Sequence, residues 1–170
     1  MKITVFTSNQ PRHISLVRDL SSISEHVFCI QECNTVVPGQ REDFYSKTDL
    51  MQSYFNSVMN AEKEVFGDLN FMPSNTSALA IKSGDLNFLS YEQLKSALDS
   101  DIYIVFGASY IKGWLIDFLV EKKAINIHMG LSPYYRGSSC NFWALYDAKP
   151  NFVGATIHLL TAGLDSGPML

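Results

Sequence analysis

The chain has 170 residues, a length that fits one domain of ordinary size and leaves little for a second lobe. Lys and Arg total 13 against 17 Asp and Glu, a formal charge of −4, so neither a nucleic-acid-binding surface nor stable attachment to an anionic membrane is expected. Hydrophobic residues at 46% exclude a disordered chain.

Residues 1–8 (MKITVFTS) read as a buried strand. Beyond Lys2 they carry no charged leader, long apolar stretch or cleavage site, so they are not read as a signal peptide. Nothing approaches the roughly 18 consecutive apolar residues of a membrane span. After Asn9-Gln10-Pro11 a helix is expected over about 12–23, with Leu16, Leu20 and Ile23 at i, i+4 and i+7 and Pro11 suited to the first turn. A strand follows over 26–31, and Val36-Val37-Pro38-Gly39 closes the segment. Strand, helix, strand is the start of a βαβ unit and predicts a parallel sheet.

Residues 40–47 are polar and read as a loop; Thr48 is placed to cap a helix over 49–66 with an apolar stripe through Leu50, Tyr54, Val58 and Val65. A short strand is expected at 78–81, and Ser90-Tyr91-Glu92-Gln93 is a capping box opening a helix to about Leu98. Asp101–Phe106 (DIYIVF) is the strongest strand signal, followed by Gly107-Ala108-Ser109 and a helix near 114–122. Strands at 125–128 and 154–160 and a helix at 139–147 complete the order. No repeat, low-complexity tract or linker divides the chain, and the pattern is that of a layered α/β sheet.

Cys29, Cys33 and Cys140 make an odd count that fits a reducing compartment, so a cytoplasmic location is expected. Were the strand at Cys29 to run on through Cys33, the two thiols would share a face about 13 Å apart. There is no C-x-x-C pair and there are only four scattered histidines, so no metal is expected.

Chemistry gathers after residue 125. Asn126 and His128 are two apart on a strand and so share a face, and Gly130, Ser132-Pro133, Arg136-Gly137 and Ser138-Ser139 follow as loop. Ligands of open α/β sheets bind at such strand ends. Asp165 lies in a second glycine-flanked turn, Gly163-Leu164-Asp165-Ser166-Gly167. Taken singly, a histidine beside a strand is more often structural, and an aspartate between glycines is most often a turn former. An amide, an imidazole and a carboxylate from adjoining loops make coincidence the weaker explanation.

Asn126-Ile127-His128-Met129-Gly130-Leu131-Ser132-Pro133-Tyr134-Tyr135-Arg136-Gly137 resembles the N-x-H-x-S-L-L-P-x-x-[RK]-G signature of formyltetrahydrofolate-dependent formyltransferases. Gly154-Ala155-Thr156-Ile157-His158 and Leu164-Asp165-Ser166-Gly167 are similar to that family's G-x-T-[IV]-H and [IVL]-D-[ST]-G segments, and the resemblance covers about the last 70 residues. One departure is visible: the serine of S-L-L-P is Gly130 here, and the hydroxyl has moved to Ser132.

The resemblance implies a Rossmann-like three-layer fold, with a mostly parallel sheet and helices on both faces. It implies a catalytic centre of Asn126, His128 and Asp165 and 10-formyltetrahydrofolate as formyl donor, without a metal. The folate pocket is expected at Phe106, Gly107 and Ala108 and at Leu160, Thr161, Ala162, Gly163 and Leu164. Asn9 and Arg12, at a helix N-terminus, and Arg136 are candidates for the acceptor side. His158 and Phe106 read as structural first. The resemblance implies transfer to a primary amine, with a small acceptor such as a nucleotide-linked amino sugar favoured. Methionyl-tRNA is the first alternative and a non-catalytic folate- or ligand-binding module the second. A homodimer is left open. Family members continue past the Asp165 turn, so 1–170 is expected to be a single catalytic domain truncated at its C-terminal end.

Overall fold

The computed structural model of the chain describes residues 1–33, 48–67 and 72–170. The expected turn at 36–39 and loop at 40–47 lie outside them. Strand β1 (Lys2–Ser8), helix α1 (Pro11–Ser22) and strand β2 (His26–Cys33) form the first unit; helix α2 (Asp49–Phe66) and strand β3 (Thr76–Lys82) follow. A 3-10 turn (Asp85–Phe88), helix α3 (Tyr91–Leu94), strand β4 (Ile102–Phe106), helix α4 (Gly113–Glu121) and strand β5 (Ile125–His128) come next. Helix α5 (Cys140–Tyr146), a 3-10 turn (Pro150–Phe152) and strand β6 (Thr156–Leu159) end the order. Among the described residues no helix is long and apolar enough to cross a membrane.

The sheet order is β3-β2-β1-β4-β5-β6. Every pairing is parallel except β5 with β6, which is antiparallel and sets Asn126 opposite His158. Alternation along the strands sends side chains to two cores, as expected for a sheet covered on both faces. Ile3, Val5, Val27 and Cys29 pack with Val17 of α1 on one side. Phe6, Ile30, Tyr103 and Val105 pack with Leu94, Leu115 and Leu119 on the other. The order reverses between β1 and β4, and that switch point is where the crevice of an open sheet forms.

Two elements differ from the sequence reading. The capping box of α3 is present, with Ser90 N–H donating to Gln93 Oε1 at 2.8 Å and Gln93 N–H to Ser90 Oγ at 3.4 Å. The regular helix nevertheless closes after one turn, although Leu98 N–H still bonds Leu94 O at 2.9 Å; beyond it Ala97 O accepts from Thr4 Oγ1 and Leu98 O from the Tyr103 hydroxyl at 2.5 Å. Helix α2 is capped by Thr48 as expected, but none of its residues is fully buried, and Leu50 and Val65 of its stripe face solvent. It meets α1 through an Arg12–Glu62 ion pair, and Tyr54 meets the Phe142 ring of α5 at 6.2 Å.

Candidate active site

Strand β5 carries Asn126 and His128, both buried, toward one pole of the sheet. Because β6 runs the other way, the chain leaves it beside the start of β5, where Leu160 N–H donates to Ala124 O at 2.7 Å. Residues 160–165 then return along the sheet until the Asp165 carboxylate reaches β5. There Asp165 Oδ1 accepts from Asn126 Nδ2 at 3.0 Å, and Oδ2 lies 3.2 Å from His128 Nδ1 and accepts from Gly137 N–H at 2.7 Å. Asp165 holds this position with φ at +44°, in the left-handed region that aspartate tolerates better than most residues.

Hydrogen-bond chemistry fixes the proton positions. His128 Nε2 lies 2.9 Å from the Tyr135 carbonyl, and Nδ1 faces the carboxylate. A carbonyl and an ionised carboxylate only accept, so both contacts are hydrogen bonds only when both ring nitrogens carry hydrogens. His158 Nδ1 lies 2.8 Å from the Leu159 carbonyl, which puts its hydrogen there and leaves Nε2 to accept from Asn126 Nδ2 at 3.1 Å. Both amide hydrogens of Asn126 are thus directed, one to Asp165 and one to His158. Behind His128 lies Cys140, its Sγ 3.7 Å from Nε2 and 3.4 Å from the Gly137 carbonyl; burial, with the Asp165 charge adding to it, pushes this thiol up from its usual range.

A cavity of about 560 Å³ opens over this cluster. Its walls are the exit of β4 with Ile111 and Ile116, the return segment 160–165, the start of α1 and the loop after β5. Of the residues singled out from sequence, Asn126, His128 and Asp165 line it together with Phe106, Gly107, Ala108, Leu160, Thr161, Gly163 and Leu164. Arg12 lines it too, though its guanidinium is paired with Glu62 of α2. Asn9 and Arg136 are exposed and do not line it, and Ala162 stands outside its lining.

Three residues were not read as site residues from the sequence. His13 lines the cavity from α1 and is 3% exposed; its Nδ1 has no hydrogen-bond partner among the described residues. Burial, with Arg12 beside it, lowers its pKa from 6.5 to about 3. Its signal was the shared face with Val17, four residues on. Gly107 makes room for it: a Cβ there would collide with His13 Nε2, and φ is +71°. His158 had a signature but no signal for its partner, since an antiparallel β6 puts it opposite Asn126. Tyr110, a cavity wall whose hydroxyl donates to Ala162 O at 2.6 Å, had none.

The fold and the cluster define a class: a Rossmann-like α/β protein with an amide, an imidazole and a carboxylate joined at the floor of a cavity beside the strand-order reversal. Residues 92–170 match the family model described as formyl transferase. The chain is 40% identical over 79 residues to methionyl-tRNA formyltransferase of Thermosynechococcus vestitus, covering 46% of this chain and 23% of the relative. It is 32% identical over 92 residues to formyltetrahydrofolate deformylase 2, mitochondrial, of Arabidopsis thaliana, covering 51% and 26%. The aligned segments therefore span about a quarter of those relatives' lengths. The whole fold is similar to that of glycinamide ribonucleotide transformylase 1 from Symbiobacterium toebii, with a TM-score of 0.60 at 17% identity over 100% of this chain and 70% of that one.

Proposed function

We propose that the chain carries the formyl-transferring site of a 10-formyltetrahydrofolate-dependent N-formyltransferase. The observation that carries this reading is the joined Asn126–His128–Asp165 cluster facing the cavity inside the family-matched segment. The cavity volume suits a drug-sized ligand. Phe106, Ile111, Ile116, Leu160 and Leu164 give it apolar walls for a flat heterocycle, and main-chain groups of 107–109, 160–161 and 163–164 supply polar edges. The Arabidopsis relative, by its name, acts on formyltetrahydrofolate.

In the reaction, the acceptor amine attacks the formyl carbon and charge develops on the formyl oxygen. The new C–N bond forms, the bond to the folate nitrogen breaks, the amine loses a proton and the folate nitrogen gains one. His128 is the group to meet the oxygen: its Nε2–H now serves the Tyr135 carbonyl, and a formyl oxygen competes for the same hydrogen. Asn126 adds a second donor when one of its amide hydrogens turns from His158 or Asp165. One such donor is worth about 2.7–4 kcal/mol in comparable sites. Asp165 orients the imidazole through Nδ1, and its carboxylate takes up the amine's proton directly or through water.

A small amine is the favoured acceptor, since a charge of −4 offers little to a tRNA backbone. Methionyl-tRNA is the second reading, favoured by the name of the Thermosynechococcus relative. The test is tetrahydrofolate release from 10-formyltetrahydrofolate with amino-sugar nucleotides, with charged initiator tRNA and with water alone. His128→Ala should lower the rate with the productive acceptor about 100-fold to 1,000-fold, the cost of one lost donor to the oxyanion. Release that survives the substitution unchanged sinks the mechanism; failure of the wild-type protein to bind folate sinks the enzyme reading, and folate binding without release to any acceptor favours a binding module.

A further inference from the structure

We propose that Tyr110 is a strap across the donor cavity: its hydroxyl ties the segment that carries Asp165 to the opposite wall and controls how the formyl donor enters and leaves. The inference rests on the folate reading for the identity of the ligand, and on geometry alone for the strap.

The two walls are unequally held. On the β4 side, Glu32 accepts from Ser109 N–H at 2.5 Å and from Ser109 Oγ at 2.8 Å. Asn87 clasps the next stretch from both directions, donating to Tyr110 O at 2.9 Å and accepting from Lys112 N–H at 2.7 Å. This wall is rigid by construction. The opposite wall, 160–165, is fixed at its ends: Leu160 N–H on Ala124 O and the Asp165 carboxylate on Asn126, His128 and Gly137. Midway between those anchors, Ala162 O accepts from the Tyr110 hydroxyl at 2.6 Å. Tyr110 lines the cavity and is 50% exposed, and Ala162 stands just outside the lining, which puts the crossing bond at the mouth and not in the core. A ligand that inserts between the walls passes the Tyr110 ring, and it leaves readily only when this bond opens. The same bond fixes the middle of the segment whose end positions Asp165, so Tyr110 acts on the chemistry as a positioning residue.

The experiment compares Tyr110→Phe with wild type. Tetrahydrofolate dissociation is measured by stopped-flow fluorescence, and donor KM and kcat are measured separately. The variant keeps the ring and loses only the crossing bond. Dissociation should accelerate and donor KM rise by about twofold to tenfold, the range that one net hydrogen bond spans, with the smaller change in kcat. In the ligand-free protein, cleavage within 161–164 by a non-specific protease should accelerate, while cleavage elsewhere stays as in wild type. An unchanged dissociation rate overturns the proposal. If wild type binds no folate, the functional reading fails and the strap is decided by proteolysis: an unchanged rate of cleavage within 161–164 in Tyr110→Phe overturns it, and an increase confined to that segment supports it.

Discussion

At Asn126, His128 and Asp165 the hydrogens are all spoken for inside the protein: Asp165 and Tyr135 O hold the imidazole, and Asp165 and His158 hold the amide. Such a closed network keeps each group in one orientation, and it makes the ring position sensitive to what stands behind it. Gly130 stands there, where the resembling signature has serine. A Cβ at 130 would lie 2.5 Å from His128 Nε2, 2.6 Å from Cys140 Cβ and 2.9 Å from Cys140 Sγ, closer than side chains pack. Cys140 Cβ is fixed to the first turn of α5, so the imidazole is the group that must give way, and it gives way from the Tyr135 carbonyl. Gly130→Ser, which restores the signature letter, should therefore cost stability by about 1–3 kcal/mol, as overpacking does. It should also lower formyl transfer by about tenfold or more, the cost of misplacing one catalytic group. Urea unfolding and the tetrahydrofolate-release assay read the two effects, and a serine variant with wild-type rates would show that the ring has room the geometry denies it.

Elements were legible where the period of apolar residues was undisturbed. Strands β1 and β4 and helices α1 and α2 fell within a residue or two of their sequence positions, because buried strands are short and apolar and Pro11 and Thr48 mark helix starts. Direction was not legible: nothing in Thr156–Leu159 says that β6 runs against its neighbour, and that reversal brings Asp165 and His158 to β5. Hence the sequence could nominate Asn126, His128 and Asp165 but could not show that His158 joins them. Tertiary ties between loops were equally silent. Glu32, 3% exposed at the end of β2, accepts from Gly84 N–H at 2.8 Å as well as from both donors of Ser109. Its carboxylate thus joins the exits of β3 and β4 across the sheet. Glu32→Gln keeps the shape but turns a donor NH₂ toward the backbone N–H of Ser109 or of Gly84, which only an acceptor can satisfy. The expected loss is about 1.5–3 kcal/mol, the range for a hydrogen bond to a charged group, read as a lower urea midpoint. Tetrahydrofolate should bind more weakly as well, because Ser109 lines the cavity. A variant as stable as wild type would mean that the two exits stay joined without this carboxylate.

For the whole molecule, the order β3-β2-β1-β4-β5-β6 puts the reversal between β1 and β4, so the cavity draws a wall from each half of the sheet. The α1 wall brings His13 into that crevice with an Nδ1 unpaired among the described residues and a pKa held at about 3 against 6.5 for an exposed imidazole. That difference links folding to pH. Above 6.5 the ring is neutral in folded and unfolded chains alike, and His13 adds no pH dependence. Below it the unfolded chain takes up a proton that the folded chain refuses, so stability falls as pH falls, until the folded ring itself protonates near 3. The slope from this one group approaches about 1.4 kcal/mol per pH unit. His13→Asn removes the titration and leaves a smaller neutral side chain, whose packing cost does not vary with pH. Urea unfolding of the two proteins at pH steps from 7 to 4 should therefore give curves that converge on acidification, as the histidine protein loses an advantage that the asparagine protein never had. Parallel curves would mean that the unfolded chain gains no proton at this position that the folded chain lacks, and that His13 sits in the crevice with an ordinary affinity for protons.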